Sequence, residues 1–155
     1  MDTTKIDSTR HWFRIIVRPC FRRPYCLTVE KKYNKSILTS KITNGDGGYH
    51  TGVLIATMTF PFSDTLYNNI AGQLNSLDFW KLGEDTACRS GRDGENWTFE
   101  AIENGQYNYI SRWYPQGCGD SVTKKLATIG IKLGMLCKLD KILVAIGSPK
   151  SDLSQ

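Results

Sequence analysis

A chain of 155 residues, 40% hydrophobic and 23% charged, has the size and composition of one compact domain with a real core, and is too short for two. No stretch reaches the roughly 18 uncharged apolar residues of a membrane span. The N-terminal run MDTTKIDSTRHWFRIIVRP lacks a small-residue cleavage site and mixes charges into its apolar residues, so a cytoplasmic protein with no membrane partner is expected.

The net charge of +5 conceals an asymmetry. Residues 1–43 carry ten Lys or Arg against three acids, residues 44–120 four against ten, and residues 121–155 six against two. Such a split fits segments that meet within one fold, and it also fits a nucleic-acid or acidic partner.

In chain order, residues 11–18 alternate: His11, Phe13, Ile15 and Val17 fall on one face, Trp12, Arg14, Ile16 and Arg18 on the other. Period two predicts a strand with one buried face. Residues 25–33 and 36–43 predict two more strands with a tight connection at Asn34 and Lys35. The Gly-rich run 44–48 predicts a loop. Residues 51–60 are apolar on both faces and predict an inner strand covered on both sides, ended by Pro61. Ser63 predicts a helix N-cap, and Leu66, Ile70, Leu74 and Leu77 form a stripe for a helix over 63–81, stopping near Gly83. Two strands follow, near 96–103 and 106–113, joined at Asn104-Gly105. Asp120 or Ser121 predicts the cap of a second helix over 120–138, with Val122, Leu126, Ile129, Leu133 and Leu136 on one face. Residues 142–146 fit helix or strand.

The expected architecture is a single α+β domain in the order ββββ-α-ββ-α: about six mainly antiparallel strands packed against two helices. Residues 11–147 form that domain, residues 1–10 an N-terminal arm, and residues 148–155 a flexible tail.

Chemistry-bearing motifs are sparse. The five cysteines, Cys20, Cys26, Cys88, Cys118 and Cys137, show no paired CxxC spacing, so neither a metal nor a required disulfide is expected, although Cys88 and Cys118 flank the hairpin. The two histidines, His11 and His50, lie in no nucleophile motif. The run NGDGG leads into a strand and lacks a GK[ST] pair, which argues against a phosphate loop. No cofactor is implied. Arg10, Arg14 and Arg18, with Arg22, Arg23, Trp12 and Tyr25, combine cations with stacking surfaces, as single-stranded nucleic-acid sites do. An ordinary charged strand has the same composition.

The hairpin 92–115 carries Glu100 and Arg112 among apolar residues, together with Asp93, Glu95 and Glu103. A two-residue turn would set Trp97 opposite Arg112 and Glu100 opposite Tyr109. A bulged three-residue turn would set Trp97 against Trp113 and pair Glu100 with Arg112. The second gathers Trp97, Phe99, Ala101, Tyr107, Tyr109 and Trp113 on one face and is preferred on that pattern. Residues Asp93-Gly94, Trp97, Glu100, Gly105, Tyr107, Arg112-Trp113 and Pro115, led by Phe79-Trp80, resemble small bacterial proteins with a DGxxWxxE…GxY…RWxP motif. Some of these resemble immunity partners of antibacterial toxins. The resemblance covers the middle third of the chain, brings no catalytic residue, and implies cytoplasmic protein binding without turnover.

The leading reading is therefore a non-enzymatic protein that binds a protein partner, a cognate toxin being the class implied. Its candidate binding residues are Arg14, Arg18, Trp97, Glu100, Tyr107, Tyr109, Arg112 and Trp113. The alternatives are a hydrolase using Glu100 or His50 in a cleft, and a nucleic-acid binder using the basic N-terminal strand.

Overall fold

The computed structural model describes residues 9–33, 35–83, 93–117 and 120–147. Six strands form one antiparallel sheet: β1 (His11–Pro19), β2 (Tyr25–Lys32), β3 (Lys35–Thr43), β4 (Leu54–Phe62), β5 (Glu95–Glu103) and β6 (Gln106–Trp113). Their order across the sheet is β4-β3-β2-β1-β5-β6. Helix α1 (Asp64–Ser76) lies between β4 and β5, and α2 (Ser121–Leu136) and α3 (Leu139–Ala145) follow β6. The expected α+β order is present, with α3 as an addition over part of the segment left open between helix and strand. Apart from Thr9 and Arg10, the expected arm and tail lie outside the described residues, as do Cys88 and Cys118.

The alternation of β1 sorts the sheet into two faces. Phe13, Ile15 and Val17 are buried and align with Leu27 and Val29 of β2 and with Trp97, Phe99 and Ala101 of β5. The helices cover this face. Leu126, Ile129 and Leu133 of α2 and Tyr67, Ile70 and Leu74 of α1 are buried on it. Each apolar side chain so covered contributes about 1.5–3 kcal/mol. Gly130 lets α2 approach closely, because a Cβ there would stand 2.6 Å from the Trp97 ring.

Caps define the helix starts. The Ser63 hydroxyl accepts from the Leu66 N–H at 3.1 Å, and the Asp120 carboxylate accepts from the Thr123 N–H at 2.7 Å. The ends differ from expectation. Helix α1 stops at Ser76 because Asp78 takes φ 50°, turning the chain into a short 3-10 turn, Phe79–Lys81, that buries Phe79. Lys138, at φ 53°, likewise separates α2 from α3, whose Leu139 and Leu143 enter the core. Of the expected stripes, Leu66 and Leu136 are exposed.

Strand β4 corrects a second expectation. It is an edge strand, not an inner one, and it runs through Pro61 to Phe62. Proline lacks the ladder donor and is tolerated in a strand when its nitrogen faces an open edge. Ala56, Met58 and Phe60 are half-buried toward the helices, whereas Ile55, Thr57 and Thr59 are exposed.

Candidate binding face

Among the described residues, no helix covers the second face of the sheet. Its rows follow from the pairing. Tyr107, Ile102, Trp12, Glu30, Ile37 and Pro61 form one row across all six strands, and Tyr109, Glu100, Arg14, Thr28, Thr39 and Thr59 form the next. A third runs Ser111, Thr98, Ile16, Cys26, Lys41, Thr57. Thr28, Thr39, Thr57 and Thr59 gather on the β2–β4 side, and the aromatic residues with the Arg14–Glu100 pair lie on the β1–β6 side.

At the centre of the second row Arg14 and Glu100 are direct cross-strand partners. Nε and one terminal nitrogen of Arg14 both reach the Glu100 Oε2 oxygen at 2.6 Å. The other oxygen, Oε1, accepts from the Tyr107 hydroxyl at 3.0 Å. Burial, followed by that hydrogen bond to Glu100, pushes the Tyr107 hydroxyl up to about 12. The Arg14 guanidinium also lies 4.7 Å from the centre of the Trp12 ring, within cation–π range. Trp12 meets Tyr107 edge to face at 6.5 Å, and Tyr107 meets Tyr109 at 6.3 Å. These contacts fix a cluster from which Tyr107 and Tyr109 remain 43% and 59% exposed. Farther along, Arg18 donates to the Asn96 side chain at 3.1 Å, and Ser111 donates to the same oxygen at 2.9 Å. Trp113 pairs with Asn96 on this face, and its ring lies so close to Gly94 that a Cβ there would stand 2.8 Å away.

Arg14, Arg18, Glu100, Tyr107, Tyr109 and Trp113 thus share one face. Trp97 and Arg112 do not. Trp97 is 1% exposed, in the core beneath α2. Arg112 is buried on the helix side, where it donates to the carbonyls of Gly83 and Ser111 at 2.9 and 3.0 Å and reaches the Thr123 hydroxyl at 3.4 Å. The expected Glu100–Arg112 pair is therefore replaced by Glu100–Arg14. The register explains it: Glu103 faces Gln106 and Trp97 faces Arg112, the two-residue turn and not the preferred bulged one. Asn104 and Gly105 both take positive φ, 51° and 75°, as a type I′ turn requires.

The remaining candidates disperse. Glu95 is buried at the start of β5, where burial raises its carboxyl and Arg22, at 3.1 Å, opposes the rise. Glu103 accepts from the Tyr67 hydroxyl at 2.6 Å and lies 3.4 Å from His11 Nδ1. Tyr25, expected as a stacking surface, is buried on the core face. Arg23 donates to the Ile146 carbonyl at 3.1 Å. His50 is exposed in the β3–β4 loop, which folds against the end of β1 through Gly48 N–H to Pro19 O at 2.8 Å. Burial raises the thiols of Cys26 and Cys137, the latter to about 11.

Among the described residues, no three His, Cys, Asp or Glu side chains converge as a metal site needs, and no helix is long and apolar enough to cross a membrane. Trp12 belongs to the cluster as well, and its alternation with Arg14 along β1 is the sequence signal for it. No protein-family model matches the chain, and no curated protein sequence matches it.

Proposed function

We propose that the chain is a binding protein that holds a protein partner on the uncovered face of its sheet and turns nothing over. The observation that carries this reading is the fixed cluster of Trp12, Arg14, Glu100, Tyr107 and Tyr109 on a face that none of the described helices covers. Rigid aromatic side chains with an amphipathic edge offer large contact area at small entropic cost, and Tyr, Trp and Arg are the residues in which interface energy concentrates. The proposal extends to the partner class implied by the hairpin motif, a cognate antibacterial toxin met in the cytoplasm.

The alternatives draw less support from the same geometry. Both oxygens of Glu100 are engaged, by Arg14 and by Tyr107, which suits a carboxylate that holds shape more than one that exchanges protons with a substrate. Nucleic-acid binding rests on cations free to meet phosphates. Arg14, at the centre of the face, is already neutralised by Glu100. The test is co-purification with the product of the neighbouring gene. Wild type is expected to retain that protein and the Tyr107→Ser/Tyr109→Ser variant to release it while still folded by circular dichroism at the assay temperature. Retention by the variant, or hydrolytic turnover lost on Glu100→Gln, would overturn the reading.

A further inference from the structure

The other end of the sheet carries a second surface. Strand β4 is an edge, and its nine residues, Leu54–Phe62, include no charged side chain, whereas every other strand has at least one. Which backbone groups it leaves open follows from the β2–β3 turn. Only two residues separate Lys32 from Lys35, so these two form the closing hydrogen-bonded pair. Ser36, Leu38 and Ser40 then direct their backbone groups away from β2, toward Phe62, Phe60 and Met58. Pro61, Thr59 and Thr57 consequently turn theirs to the open edge, where the missing N–H of Pro61 costs no ladder bond. Thr57 and Thr59 are left with unpaired donors and acceptors along a strand edge.

Two features surround this edge. On the helix side a groove of about 460 Å3 runs between β4 and α3, with Met58, Phe60, Cys137, Ile142 and Ala145 in its walls. Lysines form the rim: Lys138 and Lys141 border the groove, Lys41 stands opposite Thr57 on the uncovered face, and Lys35 lies beside Pro61. All four are exposed, and none makes an ion pair among the described residues. Two acids lie nearby against these four lysines: Asp64, which accepts from the Ser36 hydroxyl at 2.5 Å, and the half-buried Asp140, between Lys138 and Lys141 in the chain.

We infer that β4 accepts an extended acidic segment of a partner protein as a seventh strand. Backbone bonds to Thr57 and Thr59 supply the pairing, and alternate apolar side chains of the segment enter the groove beside Met58 and Ile142. Acidic side chains between them meet the lysine rim. The same rim selects against a second copy of this chain, because two edges pairing would set eight like charges around one seam. The site is independent of the Tyr107–Tyr109 cluster at the opposite edge, so the failure of either proposal leaves the other standing.

The probe is a capped eight-residue peptide of alternating valine and glutamate, compared with its valine–lysine counterpart, titrated into the full chain and followed by amide NMR. The expected result is that the glutamate peptide shifts and protects the Thr57 and Thr59 N–H signals, and that the lysine peptide does not. Raising salt beyond physiological strength should weaken binding several-fold by screening the rim. Lys138→Glu/Lys141→Glu should reduce affinity about tenfold, roughly the effect of one lost charge-assisted contact, while circular dichroism stays that of wild type. Thr57→Pro, which removes only an outward N–H, should do the same. Equal response to both peptides, no response to either at millimolar concentration, or a β4 edge already closed by self-association in ultracentrifugation would each overturn the inference.

Discussion

Gly130 and Gly134 lie one turn apart on α2, and the structure assigns opposite signs to their replacement by alanine. In a helix interior Gly→Ala gains about 1 kcal/mol of propensity. At Gly130 the new methyl would stand 2.6 Å from Trp97 Cζ3 and 2.9 Å from Ile15 Cδ1. Both neighbours are fully buried, and the indole is rigid, so either the ring or the helix must move. Overpacking of this kind costs about 1–3 kcal/mol, and more where relief is blocked. With relief blocked by both Trp97 and Ile15, the upper part of that range, about 2–3 kcal/mol, applies, and after the propensity gain Gly130→Ala should lose about 1–2 kcal/mol. At Gly134 the nearest atom is Leu139 Cδ2 at 3.6 Å, an ordinary contact. Gly134→Ala should therefore gain about 0.5–1 kcal/mol. At about 2–4 °C per kcal/mol for a chain of this length, the two variants should melt on opposite sides of wild type. Urea unfolding at constant m-value reads both. A Gly130→Ala protein as stable as wild type would refute the placement of α2 against Trp97.

Double-mutant cycles should separate the two arginines: Arg14→Met with Glu100→Gln should show a coupling of about 0.5–1.5 kcal/mol for this half-buried pair, and Arg112→Met with Glu100→Gln none. Arg112→Met alone should destabilise by about 1–3 kcal/mol, since it leaves carbonyls of Gly83 and Ser111 without their donor. The backbone N–H of Thr123 holds the Asp120 carboxyl below its ordinary value. Its contribution is thus complete above that value and lost as pH falls through the lower folded one. Asp120→Asn should keep the cap and flatten this acid limb, whereas Asp120→Ala should cost about 1 kcal/mol at neutral pH. Tyr107, raised to about 12, contributes stability that is complete below pH 10 and lost as pH rises through 12. Tyr107→Phe should remove that part of the alkaline loss, read by unfolding at a series of pH values.

Local patterns carried much of the fold. The alternation of β1 placed Trp12, Arg14, Ile16 and Arg18 on one face, and Ser63 and Asp120 marked both long helices. What could not be read locally was pairing between distant strands. Arg14 and Glu100 are 86 residues apart, and their contact depends on β5 joining the sheet beside β1. Within the two hairpin strands alone, Arg112 is the only cation available to Glu100, which is why local pattern points to that pair. The register was misjudged because aromatic residues were counted as core. Tyr107 and Tyr109 face outward, whereas polar Asn108 and Arg112 face the helices, where they donate to the carbonyls of Phe79, Leu82 and Gly83. Residues 51–60 looked like an inner strand because an apolar run reads alike at the centre or at an edge. Pro61 held the contrary signal, for a proline within a strand belongs at an edge.

Radical footprinting of the chain alone and with the neighbouring gene product tests the binding face most directly. Oxidation of Tyr107 and Tyr109 should fall by several-fold in the mixture, as expected for aromatic anchors at the centre of an interface. Met135 and Leu136, 60% and 51% exposed on the opposite side of the molecule, should keep their free rates. Protection of Met135 and Leu136 with Tyr107 and Tyr109 still open would place the partner on the helices and contradict the account.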